Sequence, residues 1–171
     1  MNPVPQSARR AAILRKLRAV LAFFILALIL SGVTAFPLQS ELQRIVQIRG
    51  LEHIAPAEAA SGFDGWILTV RNGLVESYAK YPWLAYGTDW LAFAHLIIAV
   101  FFIGALIDPV RNVWILKAGI MACVLVIPLA LICGAIRQLP MGWRLIDCSF
   151  GVFGVLPLIY SLRLTRSLEN K

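Results

Sequence analysis

Charge is what this chain lacks. Of its 171 residues only 15% are Asp, Glu, Lys or Arg, 60% are hydrophobic, and the mean hydropathy is +0.78. Soluble domains sit nearer roughly 45–50% apolar and about 25% charged. The shortfall argues against a water-soluble fold, because a domain of this size could not bury so much apolar surface. No carboxylate precedes Glu41, and the whole chain holds two histidines and three cysteines. Without a C-x-x-C pair or a His-rich tract, the spacing argues against a zinc site. Bis-histidine haem is disfavoured too, since His53 lies in a polar segment and leaves His95 alone in an apolar run. Also absent are a G-x-S-x-G elbow, a phosphate-binding loop and a glycine-rich dinucleotide turn. Residues 91–107 and 113–136 lack the apolar/polar alternation of membrane β-strands.

What the chain does have is four apolar runs, at 19–36, 88–107, 113–136 and 145–163. About 20 mostly apolar residues cross hydrocarbon as a helix. The expected fold is all-α: an integral membrane four-helix bundle with an extracytoplasmic amphipathic helical segment between the first and second spans. The first span reads as a signal anchor. A cleaved signal peptide is the competing reading, because Val33-Thr34-Ala35 fits a small-residue cleavage site. The long basic leader, 1–18, and Pro37 just past the cut favour retention.

The net charge of +7 is concentrated at the ends. If the N-terminus is cytoplasmic, that side holds Arg9, Arg10, Arg15, Lys16, Arg18, Arg111, Lys117, Arg163, Arg166 and Lys171, and the other holds Arg44, Arg49, Arg71, Lys80, Arg137 and Arg144. Basic residues collect on the cytoplasmic side of short loops. Both tails, 1–18 and 164–171, are therefore placed in the cytoplasm, where they can meet anionic lipid head groups. Lys117 reads as snorkelling to that interface. With no recognition module beside it, the charge does not point to nucleic acid.

Residues 37–87 form the polar segment. Within it Phe63, Trp66, Ile67, Val70 and Leu74 share one helical face, so an amphipathic helix is expected over about 63–80. A shorter helix is expected within 41–54, with Gly50 and Pro56 as punctuation. Tyr78, Tyr81, Trp83, Tyr86 and Trp90 read as an interfacial aromatic belt. Asp108 should cap a helix begun by Pro109, and Pro128 and Pro157 should kink theirs.

Ionisable groups inside a span are expensive and tend to mark function. Counting along the spans brings Asp89, His95, Arg137, Arg144, Asp147 and Cys148 to one end. The small-residue stripes Thr88-Ala92-His95-Ala99 and Arg144-Asp147-Gly151-Gly154 are expected to face each other, pairing His95 with Asp147. The plainer alternative pairs Arg144 with Asp147 and leaves His95 donating to a backbone carbonyl. Cys133 and Cys148 are candidate redox partners, with Arg137 and Arg144 available to favour a thiolate.

The segments Tyr86-Gly87-Thr88-Asp89-Trp90-Leu91-Ala92-Phe93-Ala94-His95, Asp108-Pro109-Val110-Arg111-Asn112 and Arg144-Leu145-Ile146-Asp147-Cys148-Ser149-Phe150-Gly151 resemble parts of a group of uncharacterised small bacterial inner-membrane proteins. The likeness covers about residues 81–163. It implies a bacterial inner membrane and carries over no functional residue, since that group has no assigned activity. The functional expectation is a non-catalytic accessory or interaction subunit that docks a membrane protein partner through 37–87. The alternative is a small oxidoreductase, or a ligand- or proton-handling protein, working around His95 and Asp147. Neither reading names a cofactor.

Overall fold

The computed structural model describes residues 6–54 and 62–169. Pro56 and Lys171 lie outside that range. The described residues form six α-helices and one 3-10 turn, with no strand: α1 Gln6–Ala35, α2 Leu38–Ile48, α3 Gly62–Lys80, the 3-10 turn Pro82–Leu84, α4 Ala85–Ile107, α5 Val113–Ile136 and α6 Met141–Glu169. α1, α5 and α6 are each long and apolar enough to cross a membrane, as is α4 together with the preceding 3-10 turn. The fold is all-α and the chain is a multi-pass membrane protein.

Two of the expected tails are helix. α1 begins at Gln6 rather than near 19, and α6 continues to Glu169 rather than stopping near 163. Arg and Lys are good helix formers, so a helix need not stop where lipid does. In α6 the extension is packed: Leu158, Ser161, Thr165 and Leu168 are buried on one face at helical spacing. The short helix expected within 41–54 lies at Leu38–Ile48, and the second span starts at Ala85.

The chain divides into two compact units. One comprises α1 up to Ala27, α4 from Ile98, and all of α5 and α6; the other runs from Leu28 to Ile97. In the first unit four helices pack together, through small residues. The Phe24 ring of α1 and the Phe102 ring of α4 lie 4.9 Å apart. A methyl at Gly119 of α5 would sit 2.6 Å from Phe102 and 2.9 Å from Leu158 of α6. At Gly151 of α6 it would press on the Cys123 carbonyl and come within 2.7 Å of Val126, both on α5. Close approach of this kind is how helices associate in lipid, where burying apolar surface gives no advantage over the bilayer. Large apolar side chains point outward instead: Phe153 is 70% exposed, Phe23 69% and Leu125 64%.

The second unit has its own core. Val46, Leu51, Ile67 and Leu68 cluster between α2 and α3. The buried edge of α3 therefore runs through Ile67 and Leu68, while Phe63 stays 51% exposed. Arg49 Nε donates to Asp64 Oδ1 at 2.6 Å, and its guanidinium lies 5.9 Å from the Phe63 ring centre. That hydrogen bond, and then the Asp64 charge, raise the Arg49 pKa above its ordinary value. For a base whose folded pKa is raised, the contribution is complete at neutral pH and is lost only as pH climbs through the arginine range. α3 meets α4 where Tyr78 faces Thr88, oxygens 3.3 Å apart. Thr88 donates its one proton to the Ala85 carbonyl, so Tyr78 is the donor between them.

Two helices end in the same turn with different residues at its tightest point. After α2, Leu51 N–H reaches the Val46 carbonyl and Gly50 N–H the Gln47 carbonyl, with Gly50 at φ 65°. Val46 and Leu51 then pack together in the core, the contact that accompanies this motif. After α5, Leu139 N–H reaches Gly134 and Gln138 N–H reaches Ala135, with Gln138 at φ 59°. Glycine takes this conformation freely, whereas a side chain costs about 1 kcal/mol. Gly50→Ala should therefore lower the unfolding midpoint, and Gln138→Gly should raise it by a comparable step. Thermal unfolding in detergent, followed by circular dichroism, reads both; shifts of the same sign would contradict the assignment.

Candidate functional site

Four polar side chains of the first unit close helix ends: Arg18, Asp108, Asn112 and Arg144. At the α4–α5 turn Asn112 Nδ2 donates to the Gly104 and Asp108 carbonyls at 3.0 and 2.9 Å. Asp108 Oδ1 accepts from Arg111 N–H at 3.1 Å. Asp108 thus closes the turn and does not cap a helix, because residues 109–112 are turn and α5 starts at Val113. Arg18 of α1 also serves this corner. Its Nε donates to the Leu106 carbonyl at 3.3 Å and its Nη2 to Ile107 at 3.2 Å. A cation is well placed at a helix C-terminus, against the negative end of the dipole.

The α5–α6 turn is closed in the same way. Arg144 Nε donates to the Leu139 carbonyl at 2.9 Å. Its stem crosses Gly134, where an added methyl would lie 2.6 Å from Cγ and 2.7 Å from Cδ. Arg144 makes no ion pair with Asp147, and the one ion pair among the described residues is Arg49–Asp64. The plainer pairing expected from spacing is therefore not formed. Asp147 is half-buried one turn along α6, with no hydrogen bond or ion pair among the described residues. Arg137 is exposed.

The cysteines are all free: Cys148 is buried, Cys123 half-buried and Cys133 exposed. Cys148 Sγ points at the Ile127 carbonyl of α5, 3.9 Å away, rather than to another thiol. On α6 the buried positions next to Asp147 are Gly151, which belongs to the expected stripe, and Cys148, which lies one residue round from it.

Asp89 and His95 belong to the second unit, on the first three turns of α4. His95 Nδ1 lies 2.8 Å from the Leu91 carbonyl on its own helix. A carbonyl only accepts, so Nδ1 carries a proton and donates it. The small-residue stripe has a partner that spacing did not reveal. A methyl at Gly32 of α1 would meet the Ala92 carbonyl at 2.9 Å and His95 Cβ at 3.2 Å. Ala92 is fully buried there. Asp89 is half-buried in an open recess of about 260 Å³, lined with Phe36, Tyr86, Trp90 and Phe93. In the sequence Asp89 and the aromatic belt are separate features. Phe36, at the corner after α1, joins them only in three dimensions.

Among the described residues, no three His, Cys, Asp or Glu side chains gather closely enough to hold a metal ion. What the two units offer is an imidazole on α4, a carboxylate on α6 that is unpaired among the described residues, and a carboxylate among aromatic rings. Fold and site define an all-α multi-pass membrane protein. No protein-family model, curated protein or solved structure matches the chain.

Arg144→Ala should lower stability by about 1.5–3 kcal/mol, since it removes a charge-assisted hydrogen bond and leaves the Leu139 carbonyl without its donor. Arg144→Lys should not restore it, because lysine has no N–H at the Nε position that donates to Leu139. Arg137→Ala, at an exposed position, should stay within about 0.5 kcal/mol of the parent. Unfolding midpoints in detergent decide this, and an Arg137 effect equal to that of Arg144 would contradict it.

Proposed function

We propose that the protein is a non-catalytic accessory subunit of a bacterial inner membrane, lying with both termini in the cytoplasm and with α2 and α3 on the opposite face. One observation carries this reading. The α2–α3 pair closes its own core yet leaves Ile45 and Ile48 on the outside, 40% and 86% exposed. An apolar side chain held out beside a completed core suits contact with another apolar surface, here a membrane protein partner. In the first unit Arg18, Asn112 and Arg144 serve its turns. The basic residues flanking α1 and α6 support the orientation and a contact with anionic head groups.

A second reading, of proton or ligand handling, is favoured by the carboxylate of Asp147 on α6, unpaired among the described residues.

The two readings separate in the native host. Ile45→Asp and Ile48→Asp should shrink the complex seen in native membranes by blue-native electrophoresis, with folding unchanged. His95→Ala and Asp147→Asn should leave it intact and complement a deletion strain. Failure of Asp147→Asn to complement, with Ile48→Asp fully active, would replace the first reading by the second. In a chain whose own cysteines are changed to serine, Gln47→Cys should react with an impermeant maleimide from outside intact spheroplasts, while Ser7→Cys should not.

A further inference from the structure

The recess on α4 contains a negative charge with no counter-charge. Asp89 is half-buried, and no hydrogen bond or ion pair engages it among the described residues. Of the basic groups in the same unit, Arg49 is held by Asp64 and Lys80 lies 5.2 Å from the Tyr81 ring centre, and neither Arg44 nor Arg71 pairs with Asp89. Around Asp89 stand four aromatic rings, those of Phe36, Tyr86, Trp90 and Phe93, bounding about 260 Å³. Tyr86 and Trp90 meet edge to face at 6.0 Å and 83°, and Trp90 and Phe93 do so at 6.1 Å and 89°. An edge-to-face contact occupies a face of only one ring of the pair, where stacking would occupy a face of both. Tyr86 is 62% exposed and Trp90 58%.

An aromatic face carries the negative side of its quadrupole, and a carboxylate partly withdrawn from water adds a full charge. A strongly hydrated metal cation gains little from such walls. An alkylated ammonium is different: it gives up water cheaply, fills space of this size and draws on both ring and carboxylate. The position fits as well, because Asp89 stands at the start of a membrane span, in the aromatic belt that marks the head-group layer.

We propose that Phe36, Tyr86, Asp89, Trp90 and Phe93 form a binding site for a quaternary or substituted ammonium group. The group comes either from the head group of a zwitterionic phospholipid or from a soluble amine. The site lies apart from Ile45 and Ile48 and is independent of docking at α2 and α3.

The test uses the full chain, labelled with 5-fluorotryptophan, in nanodiscs of phosphatidylglycerol, a lipid without an ammonium group. The Trp90 fluorine resonance is assigned by Trp90→Phe. Tetramethylammonium chloride is expected to move it saturably, whereas equal sodium chloride does not. Asp89→Asn should weaken the response about tenfold or more, as loss of the site's one full charge implies. Tyr86→Leu should weaken it as well and serves as the second variant if Asp89→Asn does not fold. Nanodiscs of phosphatidylcholine identify the source. A resonance already shifted there and unresponsive to tetramethylammonium assigns the site to lipid; one that still responds assigns it to a soluble amine. A response no different from that to sodium chloride, or one unchanged in both variants, would overturn the proposal.

Discussion

Every main-chain N–H and C=O at membrane depth needs a partner within the protein, because hydrocarbon supplies none. Inside a helix this is automatic. The ends are the difficulty, since each helix leaves about four donors and four acceptors open. In this chain the turns of the first unit are built around that need. Asn112 folds back onto Gly104 and Asp108, Arg18 reaches the last carbonyls of α4, and Arg144 takes that of Leu139. Gln138 accepts a left-handed conformation so that Leu139 and Gln138 can close the end of α5.

That economy shapes the rest of the structure. Turns closed by their own side chains can be short, and short turns keep α5 and α6 side by side as a hairpin. Close helices in turn need glycine at the crossing, and Gly119, Gly134 and Gly151 stand where a methyl would collide. The functional consequence is subtractive. Polar side chains committed to backbone carbonyls are not free for chemistry, which turns attention to the imidazole of His95, the carboxylate of Asp147 and that of Asp89.

Much of the fold could be read from the sequence, for a physical reason. Lipid imposes a length and a composition, so the runs ending at Ile107 and Ile136 declare themselves. Hydropathy measures only the part of a helix that lies in lipid, so it missed the helical turns from Gln6 to Arg18 and from Leu164 to Glu169. The site was harder. Charge, spacing and depth single out Asp89, His95, Arg144 and Asp147, but they cannot say what each one touches. Arg144 looked like an ion-pair partner three residues from Asp147, yet it serves a carbonyl five residues back. Nor could the sequence bring Phe36 beside Tyr86, Asp89 and Trp90, because that depends on how the corner after α1 folds.

The central claim is that the exposed apolar faces of the four long helices are covered by lipid. Spin labels placed at Phe23, Val100, Leu125 and Phe153, all exposed in the fold, report this directly in reconstituted bilayers. Collision with oxygen, which concentrates in hydrocarbon, should dominate collision with a water-soluble nickel chelate at all four positions, and a label at Gln47 on α2 should show the reverse. Preferential collision with the nickel chelate at any of the four would contradict the account.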